Sequence, residues 1–146
     1  MTDEEVRRFL AEQRVVVLAT NGRDGWPHPM PLWYVVRDGE LWAWTYAASQ
    51  KVRNLERDPR ATLVVEAGER YEQLRGVMVK CEVALHRDVD VVRALGAELL
   101  TRYAGGEPLA AEALDVVGKQ ALKRVALQFV ARETATWDHR KLGGVH

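Results

Sequence analysis

The sequence predicts a mainly β fold: a six-stranded antiparallel barrel with helices at its periphery. Three observations lead to this fold class. Six segments carry the apolar or alternating pattern of strands. The dipeptide Asp38-Gly39 between two of these segments is the pattern of a tight β-hairpin. Few segments have helical periodicity, so helices can only flank the sheet.

The N-terminal half supplies a helix and the first four strands. Thr2 or Asp3 caps an amphipathic helix that places Val6, Phe9 and Leu10 on one stripe. A β-branched segment then precedes the turn-rich sequence NGRDG. Because Asp38-Gly39 joins the second and third strands, we expect these two to pair antiparallel. The four predicted strands are 14–20, 28–36, 41–46 and 61–67.

The C-terminal half adds two long strands and one clear helix. Strand five, 74–87, alternates so that Val77, Val79, Cys81, Val83 and Leu85 share a core face. Residues 88–103 form an amphipathic helix, whereas 105–120 are either a loop or an irregular helix. The last strand, 123–137, places Val125, Leu127, Phe129 and Ala131 on one side.

Size and composition exclude several classes of function. The 146 residues are expected to form one domain, 1–146, with 21 basic and 21 acidic side chains, which disfavours a nucleic-acid partner. Cys81 is the single cysteine and has no disulfide partner within the chain. The sequence shows no secretory signal and no apolar run of about 20 residues, so we expect a cytoplasmic protein outside the membrane. Its four histidines lack the spacing of a metal motif, and no metal is expected.

The segment 45–60, TYAASQKVRNLERDPR, has the composition of a phosphate-binding loop. Ser49 is a good N-cap, which predicts a helix that begins at Gln50. Small Ala47 and Ala48 allow a ligand to approach the backbone, and Lys51 adds a mobile cation. The alternative is an ordinary capped helix with solvated charges.

Strands two and three are unusually aromatic. Five rings fall within 14 residues: Trp33, Tyr34, Trp42, Trp44 and Tyr46. Pro29 and Pro31 interrupt strand two, so it should be an edge strand with backbone groups free to bind a planar ligand. Alternation turns Trp33 and Tyr34 to opposite faces, and one of them must point outward. Packing in the core or in a dimer interface is the competing interpretation for some of these rings.

The order of these elements resembles the flavin-binding split-barrel superfamily that includes pyridoxamine 5′-phosphate oxidase. Within that superfamily, the chain is most similar to the deazaflavin-dependent oxidoreductases, which use coenzyme F-420. The similarity covers nearly the whole chain. It is carried by residues 16–34, 39–65, 71–85 and 136–144, with KVRNL and DPRATL as the more specific motifs.

This resemblance implies a homodimer of split barrels with two cofactor sites at the interface. It assigns Pro31, Leu32, Trp33, Trp44 and Thr45 to the ring system, and Ser49, Gln50 and Lys51 to the phosphate. Gln73 and Arg75 would reach the cofactor from the fifth strand, and Trp137 from the other subunit. Arg53, with Arg57 and Arg60, would either meet the anionic tail of the deazaflavin or remain solvated. For Arg57 we expect solvation.

Two departures argue against oxidation of pyridoxamine phosphate itself. Met30 stands where the oxidases carry an arginine, and Gln50-Lys51 replaces their Arg-Lys pair. The resemblance instead implies hydride transfer from reduced coenzyme F-420 to a small conjugated or unsaturated acceptor. The alternatives are an FMN-dependent oxidoreductase of the same fold and a non-catalytic cofactor- or ligand-binding protein. Haem binding through His28 or His86 is a weaker alternative. Tyr46, Tyr71, His28 or solvent could supply a proton, and the sequence does not distinguish among them.

Overall fold

The computed structural model describes residues 1–143. Gly144, which ends the segment 136–144, and His146 lie outside the described residues. The helices are α1 (Asp3–Glu12), α2 (Gln50–Arg57), α3 (Val89–Tyr103) and α4 (Ala111–Ala121). The strands are β1 (Val15–Asn21), β2 (Pro27–Trp33), β3 (Val35–Arg37), β4 (Glu40–Tyr46), β5 (Arg60–Ala67), β6 (Arg75–His86) and β7 (Arg124–Asp138). Short 3₁₀ turns cover Tyr71–Gln73 and His139–Leu142.

All strands pair antiparallel in one seven-stranded sheet with the order β2-β1-β5-β6-β7-β4-β3. The prediction of six strands was wrong because the segment 28–36 divides in two at Tyr34. Its first part pairs with β1, and only residues 35–37 form the hairpin with β4. The two edge strands of the sheet are therefore joined through one residue. Because Tyr34 keeps the end of β2 beside the beginning of β3, the sheet must curl into a barrel. The barrel opens between β2 and β4, and we call this opening the seam.

Tyr34 divides strand two because its backbone and side chain bond to helices instead of strands. The ring is fully buried, and its hydroxyl donates to the carbonyl oxygen of Leu10 at 2.6 Å. The backbone N–H of Tyr34 donates to the hydroxyl of Tyr103 at 3.0 Å, and Arg102 donates to the Tyr34 carbonyl. The backbone groups of Tyr34 are thus satisfied outside the ladder. These bonds fix α1 and α3 against the seam.

The predicted alternation of the long strands is confirmed along β6 and fails in part along β7. Val77, Val79, Cys81 and Val83 are buried as predicted. In β7, Lys80 pairs with Glu133 but Cys81 pairs with Ala131, so Arg132 is an extra residue in a bulge. Ala131 at this bulge is exposed, which contradicts its predicted core position.

The helices pack on two separate apolar clusters. α1 and α2 share the main core with the inward residues of the strands, whereas α3 packs in a second cluster with Val35 and Ala126. The segment 105–120, for which the sequence permits either a loop or an irregular helix, contains the regular helix α4 from Ala111 onward. Helix α2 begins at Gln50, as predicted, and is attached to β1 by the fully buried Asn54, whose amide donates to the Thr20 hydroxyl at 3.0 Å. Within residues 1–143, no helix combines the length and apolarity needed to cross a bilayer.

Candidate functional site

A groove of about 460 Å³ lies at the seam, within the usual size range of small-molecule sites. We call it the seam groove. Most of its lining side chains are apolar, and the polar ones are at one end. The lining residues are Pro31, Leu32, Trp33, Trp44, Leu99, Leu100, Val116, Val117, Gln120 and Arg124. Four residues assigned to the ring system from the sequence, namely Pro31, Leu32, Trp33 and Trp44, are thus brought together.

The β2 wall of the groove is an edge strand, as its prolines predict. β2 has β1 as its only neighbour in the sheet. Trp33 is 51% exposed, and Tyr34 is fully buried, so the predicted division of these two rings between faces is confirmed. The Trp33 ring stacks on Tyr103 of α3, with centroids 4.1 Å apart. Tyr103 is itself held by its hydroxyl, which donates to the carbonyl of Arg14. The wall is therefore rigidly supported by α3.

Thr45, the fifth residue assigned to the ring system, occupies a different position. Its side chain is buried within the barrel, and its strand partner in β7 is Val125. Trp44 on one side of it lies in the seam groove, and Tyr46 on the other side is exposed. Because neighbouring residues of a strand face opposite sides, the Thr45 side chain is turned away from the groove. Only its backbone is available to a ligand there.

Ser49 is the N-cap residue of α2 by position, but its side chain does not cap the helix. Its hydroxyl oxygen does not accept the expected hydrogen bond from a backbone N–H of the first helical turn. Among the described residues, the Ser49 hydroxyl is the one buried side-chain polar atom without a hydrogen-bond partner. An unsatisfied buried hydroxyl costs roughly 1–3 kcal/mol unless a ligand or water bonds it. This atom and the free N–H groups at the start of α2 fit an anionic group such as a phosphate.

Lys51 is not the mobile surface cation that the sequence predicts, since it is only 9% exposed. Burial, and secondarily the charge of Arg124, lowers the pKa of Lys51. No ion pair or side-chain hydrogen bond within residues 1–143 includes its ammonium group. A desolvated cation beside a second cation is unfavourable until an anion binds between them or near them. A bound anion would therefore stabilise both side chains, by accepting a hydrogen bond from Ser49 and by neutralising the charge of Lys51.

Arg124 is the residue that sequence reasoning missed. Its guanidinium carbon lies 4.6 Å from the centroid of Trp44 and 4.1 Å from that of Tyr46, in a slot between the two rings. Its Nε donates to Oε1 of Gln120 at 3.4 Å, a long bond. Arg124 pairs with Tyr46 in the sheet register, so the first residue of β7 lies beside the last residue of β4. Arg124 could have been assigned to the site from the sequence only if the pairing of β4 with β7 had been predicted.

Gln50 and Arg53 line a second cleft, of about 520 Å³, between α2 and the β1–β2 turn. Arg57 also lines it. Its side chain is exposed, as predicted, and donates to the Asn21 carbonyl at 2.6 Å. Arg60 forms an ion pair with Asp58 at 2.9 Å, which lowers the pKa of that carboxyl group. Among the three arginines of this segment, Arg53 alone has no side-chain bond within residues 1–143.

Gln73, Arg75 and Trp137 lie away from the seam groove. β7 begins at the groove with Arg124, and Trp137 is near the other end of this 15-residue strand. The Trp137 ring covers Gly76, where a Cβ atom would lie 2.8 Å from its Cη2 atom. Arg75 contacts the Phe9 ring and lies 3.8 Å from the carboxylate of Glu12. Within one protomer, the three residues do not meet the other assigned residues.

The histidines considered for haem are placed differently from each other. His86 stacks on Trp42, and its Nε2 atom is 2.9 Å from Oε1 of Gln128, so this nitrogen is already bonded. His28 lines the second cleft. Residues 1–143 contain no cluster of three or more histidine, cysteine or acidic side chains that could hold a metal ion.

Solved structures with this architecture include one protein of substantial sequence identity. Rv2991, a conserved hypothetical protein from Mycobacterium tuberculosis, is 40% identical, with a TM-score of 0.91 over 100% of this chain and 90% of that one. An F-420 reductase is 21% identical, with a TM-score of 0.68 over 88% and 94% of the two chains. The haem storage protein HutZ from Vibrio cholerae is 16% identical, with a TM-score of 0.70 over 93% of this chain and 94% of that one. The last two show the shared fold alone.

Sequence comparison gives the family directly. No curated protein matched the chain. The family model for pyridoxamine 5′-phosphate oxidase matches residues 2–138, which include every strand and the start of α2. The chain therefore belongs to the pyridoxamine 5′-phosphate oxidase family.

Proposed function

We propose that this protein is an oxidoreductase that uses coenzyme F-420 and transfers a hydride from the reduced cofactor to a small conjugated acceptor. The observation that carries the proposal is the pair Ser49 and Lys51. The Ser49 hydroxyl is buried without a hydrogen-bond partner among residues 1–143. The Lys51 side chain is largely buried and forms no ion pair among the same residues, and both residues lie at the start of α2. The two side chains require an anion, and the adjoining seam groove accepts an apolar ring.

Each wall of the site has a role in binding. The backbone and side chains of Pro31, Leu32 and Trp33 would support the ring, with Trp44 opposite them. Ser49 and Lys51 would hold the phosphate, together with the N-terminal N–H groups of α2. Gln50 and Arg53 line the second cleft, where Arg53 is available to an anionic tail.

The protein contributes orientation, exclusion of water and electrostatics. When bound, the cofactor supplies the two electrons and the hydride. The apolar walls of the groove would displace water from the acceptor, and the rigid Trp33–Tyr103 stack would limit its orientations. Among the candidate proton donors, Tyr46 has a contact with the groove lining, because Arg124 lies over its ring.

The proposal includes a homodimer. Within one protomer, three of the assigned residues lie away from the seam groove, namely Gln73, Arg75 and Trp137. In a two-fold assembly, these residues would complete the site of the partner subunit. Two alternatives remain: FMN in the same position, and a protein that stores a cofactor without turnover. The same anion-binding residues would serve either one.

Titration of the apo-protein with coenzyme F-420 and, separately, with FMN tests the proposal through fluorescence quenching. We expect tighter binding of coenzyme F-420, followed by its oxidation when enones or quinones are added to the reduced complex. Tighter binding of FMN would identify the flavin alternative. Tight binding without turnover across the acceptor panel would favour storage, and absence of binding to either cofactor would refute the proposal.

A further inference from the structure

Arg124 has the surroundings of a ligand-binding residue, although no function is assigned to it so far. It is half-buried at the end of the seam groove, between the rings of Trp44 and Tyr46. A guanidinium carries five N–H donors, and the structure accounts for one of them, the long bond to Gln120. The other donors are not used by any residue within 1–143.

The charge of Arg124 is also not compensated. None of the ion pairs among residues 1–143 includes this side chain. The charged group that acts on Lys51 is Arg124 itself, so the nearby charge is of the same sign. Stacking between two rings stabilises a guanidinium and holds its plane, but it leaves the edge with the N–H donors free. This edge is suited to a carboxylate, which accepts two parallel hydrogen bonds.

The rest of the groove has the opposite character. Leu99 and Leu100 of α3 and Val116 and Val117 of α4 form a wall without charge. Arg124 is the charged residue of the lining, and Gln120 is the uncharged polar residue next to it. A ligand on the α3–α4 side of the groove would therefore have an apolar body against this wall and one anionic group at the Arg124 end.

We propose that the α3–α4 side of the seam groove binds apolar carboxylates, with the carboxylate on Arg124 and the apolar body against α3 and α4, beside the β2 side that the proposed function assigns to the cofactor ring. If the proposed function holds, on which this step rests, the hydride acceptor is a conjugated carboxylic acid. Gln120 adds a neutral donor to the same end of the groove, since its amide N–H group has no acceptor within residues 1–143.

Binding of 2-naphthoate and its neutral isostere 2-naphthamide to the apo-protein tests this inference, measured by isothermal titration calorimetry. A charge-assisted bond predicts that the acid binds about 10- to 150-fold more tightly than the amide. Arg124→Met should remove this preference, and Arg124→Lys should retain part of it. The matched control is Lys123→Met, which removes an exposed charge one residue away and should leave the preference intact. Thermal unfolding of each variant checks that it is folded.

Other outcomes would overturn the inference. Equal affinity for acid and amide, or no binding of either, excludes a carboxylate site. A preference that survives in Arg124→Met but disappears in Lys51→Met places the acid at the start of α2 instead. The cofactor titration is independent of these results. Binding of naphthoate through Arg124 without binding of either cofactor would retain this inference and refute the proposed function. Binding of coenzyme F-420 without a preference for naphthoate would retain the proposed function and refute this inference.

Discussion

The ring of Trp44 occupies the space that a side chain at Gly96 would need. A Cβ atom on Gly96 would lie 2.5 Å from Cη2 and 2.9 Å from Cε3 of Trp44. Gly96 is in the middle of α3, where glycine is unfavourable by about 1 kcal/mol relative to alanine. Its presence there has a packing reason, because it lets the indole lie against the helix with one face available to Arg124.

Replacement of Gly96 by alanine should therefore destabilise the fold despite the better helix propensity of alanine. The new methyl group overlaps the indole, and overpacking of this kind costs about 1–3 kcal/mol. The ring has to shift, which should also weaken ligand binding in the seam groove. Urea unfolding and ligand titration measure the two effects. The matched control is Gly118→Ala in α4, where a Cβ meets nothing within 4 Å. This variant should gain about 0.4–1 kcal/mol, and a similar gain for Gly96→Ala would contradict the packing argument.

Replacement of Lys51 by methionine should separate ligand binding from stability. We expect cofactor affinity to fall about 10- to 150-fold, the usual effect of losing a hydrogen bond to a charged group. The free energy of unfolding should stay equal or rise, because the variant removes a desolvated cation beside Arg124. Fluorescence titration and urea unfolding test both parts. Lys119→Met on the exposed surface of α4 should change neither quantity. Unchanged affinity in Lys51→Met would show that the start of α2 is not a phosphate site.

Tyr34 should make the fold sensitive to alkali. Burial raises the pKa of Tyr34 to about 12 from an ordinary value of 10.0. A pKa that is raised on folding contributes stability below the unfolded pKa and loses it as pH rises through the folded pKa. The contribution of roughly 2–3 kcal/mol should therefore disappear between about pH 10 and pH 12.

Comparison of the parent with Tyr34→Phe isolates this effect. Burial also raises the pKa of Cys81 to about 12, but both proteins contain Cys81 and its contribution cancels in the difference. At neutral pH, Tyr34→Phe should be less stable by about 1 kcal/mol through loss of the bond to Leu10. Above pH 10 the gap between the two proteins should close and then change sign, because the expected loss of roughly 2–3 kcal/mol in the parent exceeds its advantage at neutral pH. Urea unfolding across this range measures it, and a constant gap would refute the assignment.

The dimer remains a prediction, and the structure supplies a better reason for it than the aromatic content of strands two and three. Two of those rings have stacking partners within the protomer, since Trp33 stacks on Tyr103 and Trp42 on His86. An apolar stripe crosses the outer face of the sheet. In register across five strands, its members are Pro31, Val17, Val64, Met78 and Ala135. Stripes of this kind mark protein interfaces.

Light scattering should give about twice the mass of one chain. Val64 lies in the middle of the stripe, so Val64→Glu should shift the protein toward the monomer, because the charge would be buried without a partner. Leu114→Glu is the matched control, since Leu114 is an exposed apolar residue of α4 outside the stripe. A parent protein that scatters as a monomer, or a Val64→Glu variant that stays dimeric, would contradict the predicted interface.

Local patterns were sufficient for much of the fold. The alternation along β6, the prolines of the edge strand β2 and the start of α2 at Gln50 follow from nearby residues, and all three are confirmed. These features depend on which face a side chain takes or on whether a backbone N–H is present. Both are properties of the sequence itself.

The features that define the candidate site depended on distant contacts. The division of strand two at Tyr34 follows from bonds to α1 and α3, whose partners are up to 69 residues away in the chain. The residues next to Lys51 in the sequence predict a lysine on the surface. Its burial is determined instead by the elements that pack around it. Arg124 reaches the site only because β7 pairs with β4. The sequence by itself determined the strands, the edge and the helix start, because these depend on local periodicity and backbone chemistry. Only the tertiary structure decided which polar groups remain buried without partners, because that depends on which distant segments cover them.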